Sequence, residues 1–284
     1  MDMLTTETKA SVLIEALPYL KKFHGKIFVV KLGGSISVKQ ENLSNLCEDI
    51  VLLNLVGIKT VVIHGGGKMV SDLQNRLGQT PQFHNGFRVT DKKTLESALM
   101  VLAGPANKEI VSKINRSGGN AVGLTGADGK TIIAHKKKSE IDLGLVGEIE
   151  NVNTALLEKL LSADFIPVIA PICISVEGKL YNVNADDAAS WIASGLGAEK
   201  LVYLSDVKGL MDSGGRLISK AKIDDIALLE KRKIIAGGMI PKLTSAAEAI
   251  KNGVKKVHII DGRLTHSLLI EIFTTSGIGT EITK

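Results

Sequence analysis

Short runs rich in β-branched and other apolar residues recur along the chain: "KIFVVKL" from Lys26, "TVVIHG" from Thr60, "NAVGLTG" from Asn120, "TIIAHK" from Thr131, "FIPVIAPIC" from Phe165, "KLVYLSD" from Lys200 and "KVHIID" from Lys256. Between several of them apolar residues return at helical spacing, as in Met69, Val70, Leu73 and Leu77, in Leu95, Ala98, Leu99 and Leu102, and in Ala189, Ile192, Ala193 and Leu196. Strands that are apolar throughout need cover on both faces, and the intervening helices supply it. The pattern demands an α/β fold: a three-layer αβα sandwich with a mainly parallel central sheet. Within 284 residues the expected division is a helix over 1–24, a lobe over 25–180 and a lobe over 181–284. No Pro/Ser-rich linker separates the lobes, so their boundary should fall inside one continuous sheet. Pro18 should end or kink the leading helix.

Composition removes several classes of function. Aromatics are only 4% of the chain, which argues against a base-stacking nucleic-acid surface. The net charge of +5 is spread out, and the run Lys136 to Lys138 is read as a solvated loop. Such a balance suits anionic small molecules. Cys47 and Cys173 lie far apart without a CxxC, as buried or incidental thiols of a reducing compartment. No signal-peptide pattern opens the chain and no apolar run reaches membrane-spanning length, so a cytoplasmic protein with neither membrane nor nucleic-acid partner is expected. The six histidines lack paired ligand spacing, and no protein-held metal is expected. No Ser/His/Asp or Cys/His order stands out either.

The chemistry gathers at glycine turns. Lys31 ends an apolar strand and is followed by Gly33 and Gly34; His64 ends another and is followed by Gly65, Gly66 and Gly67. Met69 stands where a P-loop needs Ser or Thr, and no GxGxxG opens a helix, so neither of those phosphate motifs is present. Strand-to-helix glycine turns still converge amides on an anion at a helix N-terminus and let a ligand approach the backbone. In "YNVNADDAA", Asn182, Asn184 and Asp186 alternate, so in an extended stretch all three point one way. Asp186 or Asp187 can also cap the following helix, which leaves the two asparagines unexplained. In "GGMIPKL", Lys242 sits in a first helical turn, the wrong end for a cation, which suggests that a bound anion compensates it. Arg88, in a loop before a helix capped by Thr90 or Asp91, is well placed to fork onto a carboxylate.

Taken together, "KLGG", "HGGGK", "NGFRVTD", "AGPANKEIVSKIN", "LTGADG", "DLGLVGEIENVN", "NVNADDAA", "LSDVKGL", "GGMIPK" and "GIGTEI" resemble the acetylglutamate kinases of the amino acid kinase family, from about Lys26 to Ile282. The resemblance implies ATP-dependent phosphorylation of the side-chain carboxylate of N-acetyl-L-glutamate, with Mg2+ arriving on the nucleotide. It implies that Lys31 and Lys242 stabilise the transferring phosphoryl group and that Asp186 organises them. Gly66, Gly67, Arg88, Asn182 and Asn184 would bind the acceptor. Gly33, Gly34, the segment Asp206, Val207, Lys208, Gly209, Leu210 and Met211, and the segment Ile234, Ile235 and Ala236 would line the nucleotide. Two other readings share the fold: a kinase for carrier-bound glutamate or aminoadipate, and an inactive arginine or nucleotide sensor.

The chain ends resemble the arginine-inhibited members. Their extra N-terminal helix joins dimers into a hexamer, and the lead before Lys31 resembles it. His266, Ser267, Glu271 and Gly279 are the candidate contacts for L-arginine, with Tyr19 a looser one and Glu271 the natural guanidinium partner. A PII-type nitrogen-signalling protein is a further regulator that the resemblance admits.

Overall fold

The computed structural model describes residues 6–33, 40–226, 239–275 and 277–284. In chain order its strands begin with β1 (Ile27–Leu32), β2 (Lys59–His64), β3 (Phe83–His84), β4 (Phe87–Arg88), β5 (Ala121–Thr125), β6 (Ile132–Lys136), β7 (Gly147–Val152) and β8 (Ile166–Ala170). They continue with β9 (Ile172–Ile174), β10 (Leu180–Asn182), β11 (Lys200–Ser205), β12 (Leu210–Met211), β13 (Leu217–Ile218), β14 (Lys220–Lys222), β15 (Lys256–Asp261) and β16 (Thr280–Thr283). The helices are α1 (Thr6–Phe23), α2 (Gln40–Leu55), α3 (Gly67–Arg76), α4 (Lys92–Val101), α5 (Asn107–Arg116), α6 (Ala155–Ser162), α7 (Ala185–Gly195), α8 (Met239–Lys251) and α9 (Ser267–Phe273).

One eight-stranded sheet runs β14-β16-β15-β11-β1-β2-β8-β5, parallel at every step except β15 to β16. Strand parity sorts the core. Val29 of β1 faces a layer built from α6, α7 and α8, whereas Phe28, Val30 and Leu32 face a layer from α2, α5 and α9 with Phe23 of α1. That is why "IFVVKL" is apolar on both parities, and the expected αβα sandwich is what forms.

The periodicity did not foresee a second sheet of order β10-β9-β6-β7, made mostly of antiparallel pairs. It takes "TIIAHK" out of the main sheet and splits "FIPVIAPIC" after Ala170, so that one apolar run feeds β8 of one sheet and β9 of the other. Pro18 neither ends nor breaks α1 in the secondary structure, which runs on to Phe23. The proline lies on an exposed face, where the carbonyl that its missing N–H would have served need not be buried without a partner. Both cysteines are free and buried, and burial pushes the Cys47 thiol up to about 12. Among the described residues no helix is long and apolar enough to cross a membrane.

Candidate active site

β1 marks the point where the order of the main sheet reverses: the chain passes to β2 on one side and later reaches β11 and β15 on the other. In an open α/β sheet the crevice at such a point, beyond the carboxyl ends of the strands, is where ligands bind. Gly33 and Gly65, each just past a strand end, lie there. The Gly33 amide donates to the Leu204 carbonyl at 2.9 Å and the Gly65 amide to the Leu32 carbonyl at 3.2 Å, tying the turns to neighbouring strands. Gly34 lies outside the described residues, as do Ile234, Ile235 and Ala236.

Lys31 shares its parity with Val29 and so points to the face covered by α7 and α8. There its Nζ meets Asp186 Oδ1 at 2.7 Å, as an ion pair more than a well-directed hydrogen bond. Lys242 Nζ donates to Asp186 Oδ2 at 2.9 Å. All three side chains are buried. Burial alone would raise the Asp186 carboxyl, but the two ammonium groups outweigh it and hold it below its ordinary value. Burial, and then the neighbouring Lys31 charge, pull Lys242 down. The Lys242 ammonium also lies 4.9 Å over the ring of buried Tyr203, whose hydroxyl donates to the Asp186 carbonyl at 3.2 Å. So the anion that compensates a lysine in a first helical turn is, in the free protein, a carboxylate of the chain itself.

Of Asn182, Asn184 and Asp186 only Asn182 belongs to a strand: the chain turns into α7 at Ala185, so the three alternating residues do not continue one extended face. The cap of α7 is Asn184, whose Oδ1 accepts the Asp186 amide at 2.7 Å. Its shorter reach across the turn beats either aspartate, and Asp186 is thereby left free to face the lysines. Asp187 instead accepts from Ser245 Oγ at 2.6 Å, which links α7 to α8.

Arg88 lies on the two-residue strand β4 and not in a loop, and Asp91 is the cap of α4, accepting the Thr94 amide at 2.7 Å. Thr90 instead donates its hydroxyl to the Arg88 carbonyl at 2.7 Å. The guanidinium is strapped to α3: it donates to the Gly67 carbonyl at 2.6 Å, to Ser71 Oγ at 2.8 Å and to Gln74 Oε1 at 2.6 Å. Phe83 covers it at 4.6 Å. Ser71 and Gln74 escaped the sequence reading because nothing in a helix of ordinary polarity marks a residue that serves a strand 14 or 17 positions away. Gly66, Gly67, Arg88, Asn182 and Asn184 line one cavity, whose apolar wall includes Val70, Phe87 and Leu102. A Cβ on Gly66 would come within 2.6 Å of the Leu102 side chain, so a larger residue here would push Leu102 out of its place in the cavity wall.

On the other flank, Asp206 to Met211 lead out of β11 into β12. Gly209 has φ +142, and a Cβ there would lie 2.6 Å from Thr280 Oγ1, the atom that accepts the Leu210 amide at 2.8 Å. A separate cavity near the C-terminus is lined by Tyr19, Glu271 and Gly279 together with Lys200, Lys256, His258 and Glu281. Glu271 Oε1 accepts from His258 Nδ1 at 2.6 Å, and Oε2 accepts the Ile278 and Gly279 amides. His266 turns away from this cavity to pair with Asp49 at 2.6 Å, and Ser267 is buried, so neither lines it. Among the described residues no group of three or more His, Cys, Asp or Glu side chains converges as metal ligands.

Residues 26–261 match the amino acid kinase family. The chain is 50% identical over 290 residues to acetylglutamate kinase of Aquifex aeolicus, with 97% of each chain covered. It is 46% identical over 297 residues to that of Methanocaldococcus jannaschii, covering 100% of this chain and 99% of the other. N-acetylglutamate synthase from Neisseria gonorrhoeae, solved with coenzyme A and N-acetyl-glutamate, matches at a TM-score of 0.88 and 31% identity; the match covers 97% of this chain and 63% of the synthase. Carbamate kinase from Giardia lamblia bound to AMP-PNP shares the fold at a TM-score of 0.69 and 18% identity, covering 92% of this chain and 99% of that one. With the family match spanning most of the chain and relatives near half identity over almost all of it, the chain belongs to the amino acid kinase family, among the acetylglutamate kinases.

Proposed function

We propose that this chain transfers the γ-phosphoryl group of MgATP to the side-chain carboxylate of N-acetyl-L-glutamate, giving N-acetyl-L-glutamyl 5-phosphate on the way to arginine. The observation that carries this reading is the pair of buried ammonium groups, from β1 and α8, held on one carboxylate beside the glycine-lined cavity. A carboxylate is already nucleophilic at neutral pH, so the chemistry needs no general base; it needs two anions brought together. Lys31 and Lys242 offset the charge that gathers between acceptor and donor oxygens as the phosphoryl group passes. Asp186 keeps both lysines desolvated and aimed before substrate arrives. The acceptor lies in the cavity of Arg88, Asn182 and the Gly66–Gly67 amides, mostly within the lobe of residues 25–180, with Asn182 and Asn184 reaching in from the start of the lobe of residues 181–284. The nucleotide lies along 206–211 in the lobe of residues 181–284, and magnesium enters as part of it. A coupled assay of ATP consumption with free N-acetyl-L-glutamate tests the reading; turnover confined to a carrier-bound acceptor would overturn it.

Arg88 provides a second test. Its guanidinium lines the cavity and is held by three acceptors on α3, so its position is fixed before a ligand arrives. Arg88→Ala should raise the KM for N-acetyl-L-glutamate about thirtyfold, the loss of a charge-assisted hydrogen bond worth roughly 2 kcal/mol, with the KM for ATP nearly unchanged. An unaltered acceptor KM removes Arg88 from the acceptor site.

Feedback by L-arginine fits the C-terminal cavity, which is lined by Lys200, Glu271 and the Lys256–Glu281 ion pair: both signs of charge, as a zwitterion with a cationic tail requires. Tyr19 of α1 completes its rim, and α1 exposes Ile14 and Leu17 one turn apart, an apolar strip suited to the same helix of another copy. The working form is then a hexamer, three dimers joined through α1. Phe23 packs edge-on against Phe28 at 5.2 Å, so a deletion that spares the core stops before Tyr19. Deleting residues 1–18 is expected to leave dimers with weakened arginine inhibition; unchanged size by light scattering and unchanged inhibition would rule the arrangement out.

A further inference from the structure

The acceptor cavity rests on a glycine turn, and glycine by itself does not hold a peptide in one orientation. His64 and Asn107, each almost fully buried, lie directly behind that turn. The amide of Asn107 has its direction set by its neighbours: Nδ2 donates to the Val168 carbonyl at 2.9 Å, and Oδ1 accepts from Lys108 Nζ at 3.2 Å. Nδ2 also lies 3.1 Å from His64 Nε2, which must therefore be the accepting nitrogen. The ring proton is left on Nδ1, 2.9 Å from the Gly65 carbonyl, to which it donates. Burial drives the imidazole pKa down to about 4, in keeping with a neutral ring that keeps this tautomer.

The consequence for the site follows from peptide planarity. The Gly65 carbonyl and the Gly66 N–H belong to one trans peptide unit and point in opposite directions. A histidine that holds the carbonyl toward the interior thus aims the Gly66 amide outward, toward the cavity that Gly65, Gly66 and Gly67 line. The π turn Leu102–Ala106 delivers both remaining parts: it brings Leu102 against Gly66 and places Asn107 at the first position of α5.

We propose that His64 and Asn107 are positioning residues whose hydrogen-bonded pair orients the Gly66 amide toward the carboxylate of the phosphoryl acceptor. This rests on reading the cavity as the acceptor site. The two nitrogens of the ring can be tested apart, because asparagine stands in for Nδ1 and glutamine for Nε2. His64→Gln, which loses the donor to Gly65, should raise the KM for N-acetyl-L-glutamate about tenfold, the value of one hydrogen bond, with kcat and the KM for ATP little changed. His64→Asn keeps that donor and should recover most of the loss; Asn107→Leu, which frees the ring, should resemble His64→Gln. Equal acceptor KM values in wild type, His64→Gln and Asn107→Leu would overturn the proposal, as would equal losses in His64→Asn and His64→Gln. Where a variant does not fold, the imidazole 15N spectrum of the wild-type protein decides: a proton on Nδ1 supports the pair, and a proton on Nε2 refutes it. If Arg88→Ala also leaves the acceptor KM unaltered, the reading of the cavity has failed; if Arg88→Ala raises it and the His64 variants do not, only the positioning role has.

Discussion

Lys31→Ala is expected to lower kcat about a thousandfold. An ammonium group about 4 Å from a phosphoryl oxygen contributes roughly 4 kcal/mol at an effective dielectric near 20, and that is about three powers of ten in rate. The desolvation that would erode such a gain is met beforehand, since Lys31 is already buried and paired in the free protein. Lys242→Ala should cost a similar factor, because the two lysines reach the same carboxylate from β1 and from α8. Lys31→Ala turnover within tenfold of wild type would remove the lysine from the reaction and revive a sensor with inactive chemistry. The pH profile supplies a second readout. Burial and the Lys31 charge lower the Lys242 pKa of the free protein from the ordinary 10.5, so the alkaline limb of kcat/KM in the wild type should fall below that value. Removing Lys31 takes away the repulsive part, and the limb should move upward. For stability the sign is opposite: between the folded and unfolded pKa values of Lys242 the unfolded chain holds more protons, so stability gains from this group as pH rises through that window.

Asp186→Asn should be the most damaging single change to the fold. It preserves shape while leaving two buried ammonium groups without their counter-ion, and breaking a buried pair from one side costs about 3–5 kcal/mol. Denaturant unfolding at neutral pH measures it. The deficit should shrink in acid. The folded pKa of Asp186 lies below the ordinary 3.8, so its contribution is fully present above that value and is lost as pH falls through the folded pKa, where the wild type approaches the variant. A variant within about half a kcal/mol of wild type at neutral pH would mean that the lysines had already found another partner or lost their protons.

The site was legible to the extent that its chemistry is carried by residue type in short local patterns. Lys31 at the end of an apolar strand, Lys242 in a first helical turn and the glycines after His64 are each anomalous where they stand, and anomalies of charge against burial or dipole can be read from a linear string. What those charges meet left no local pattern; only the family resemblance pointed to Asp186. Asp186 lies 155 positions from Lys31 and 56 from Lys242, and in the string it competes with Asp187 and Asn184 for the role of cap. Only the packing of α7 against β1 and α8 assigns the cap to Asn184, the lysines to Asp186 and the Ser245 hydroxyl to Asp187. The strap of Ser71 and Gln74 on Arg88 left no local trace, because a helical serine or glutamine reads the same whether it faces water or a buried guanidinium.

By itself the sequence determined the layered architecture, the strands flanking the crevice and the chemical character of the turns that open into it, because periodicity and charge placement are local properties of the chain. The tertiary structure decided the rest. It made "TIIAHK" and half of "FIPVIAPIC" a second sheet, carried α1 through Pro18, and turned His266 away from the C-terminal cavity. The physical reason is the same in each case: where a strand pairs, whether a freed carbonyl is left buried and which carboxylate a buried cation reaches depend on groups far away in the chain, whose distances exist only once the sheet has formed.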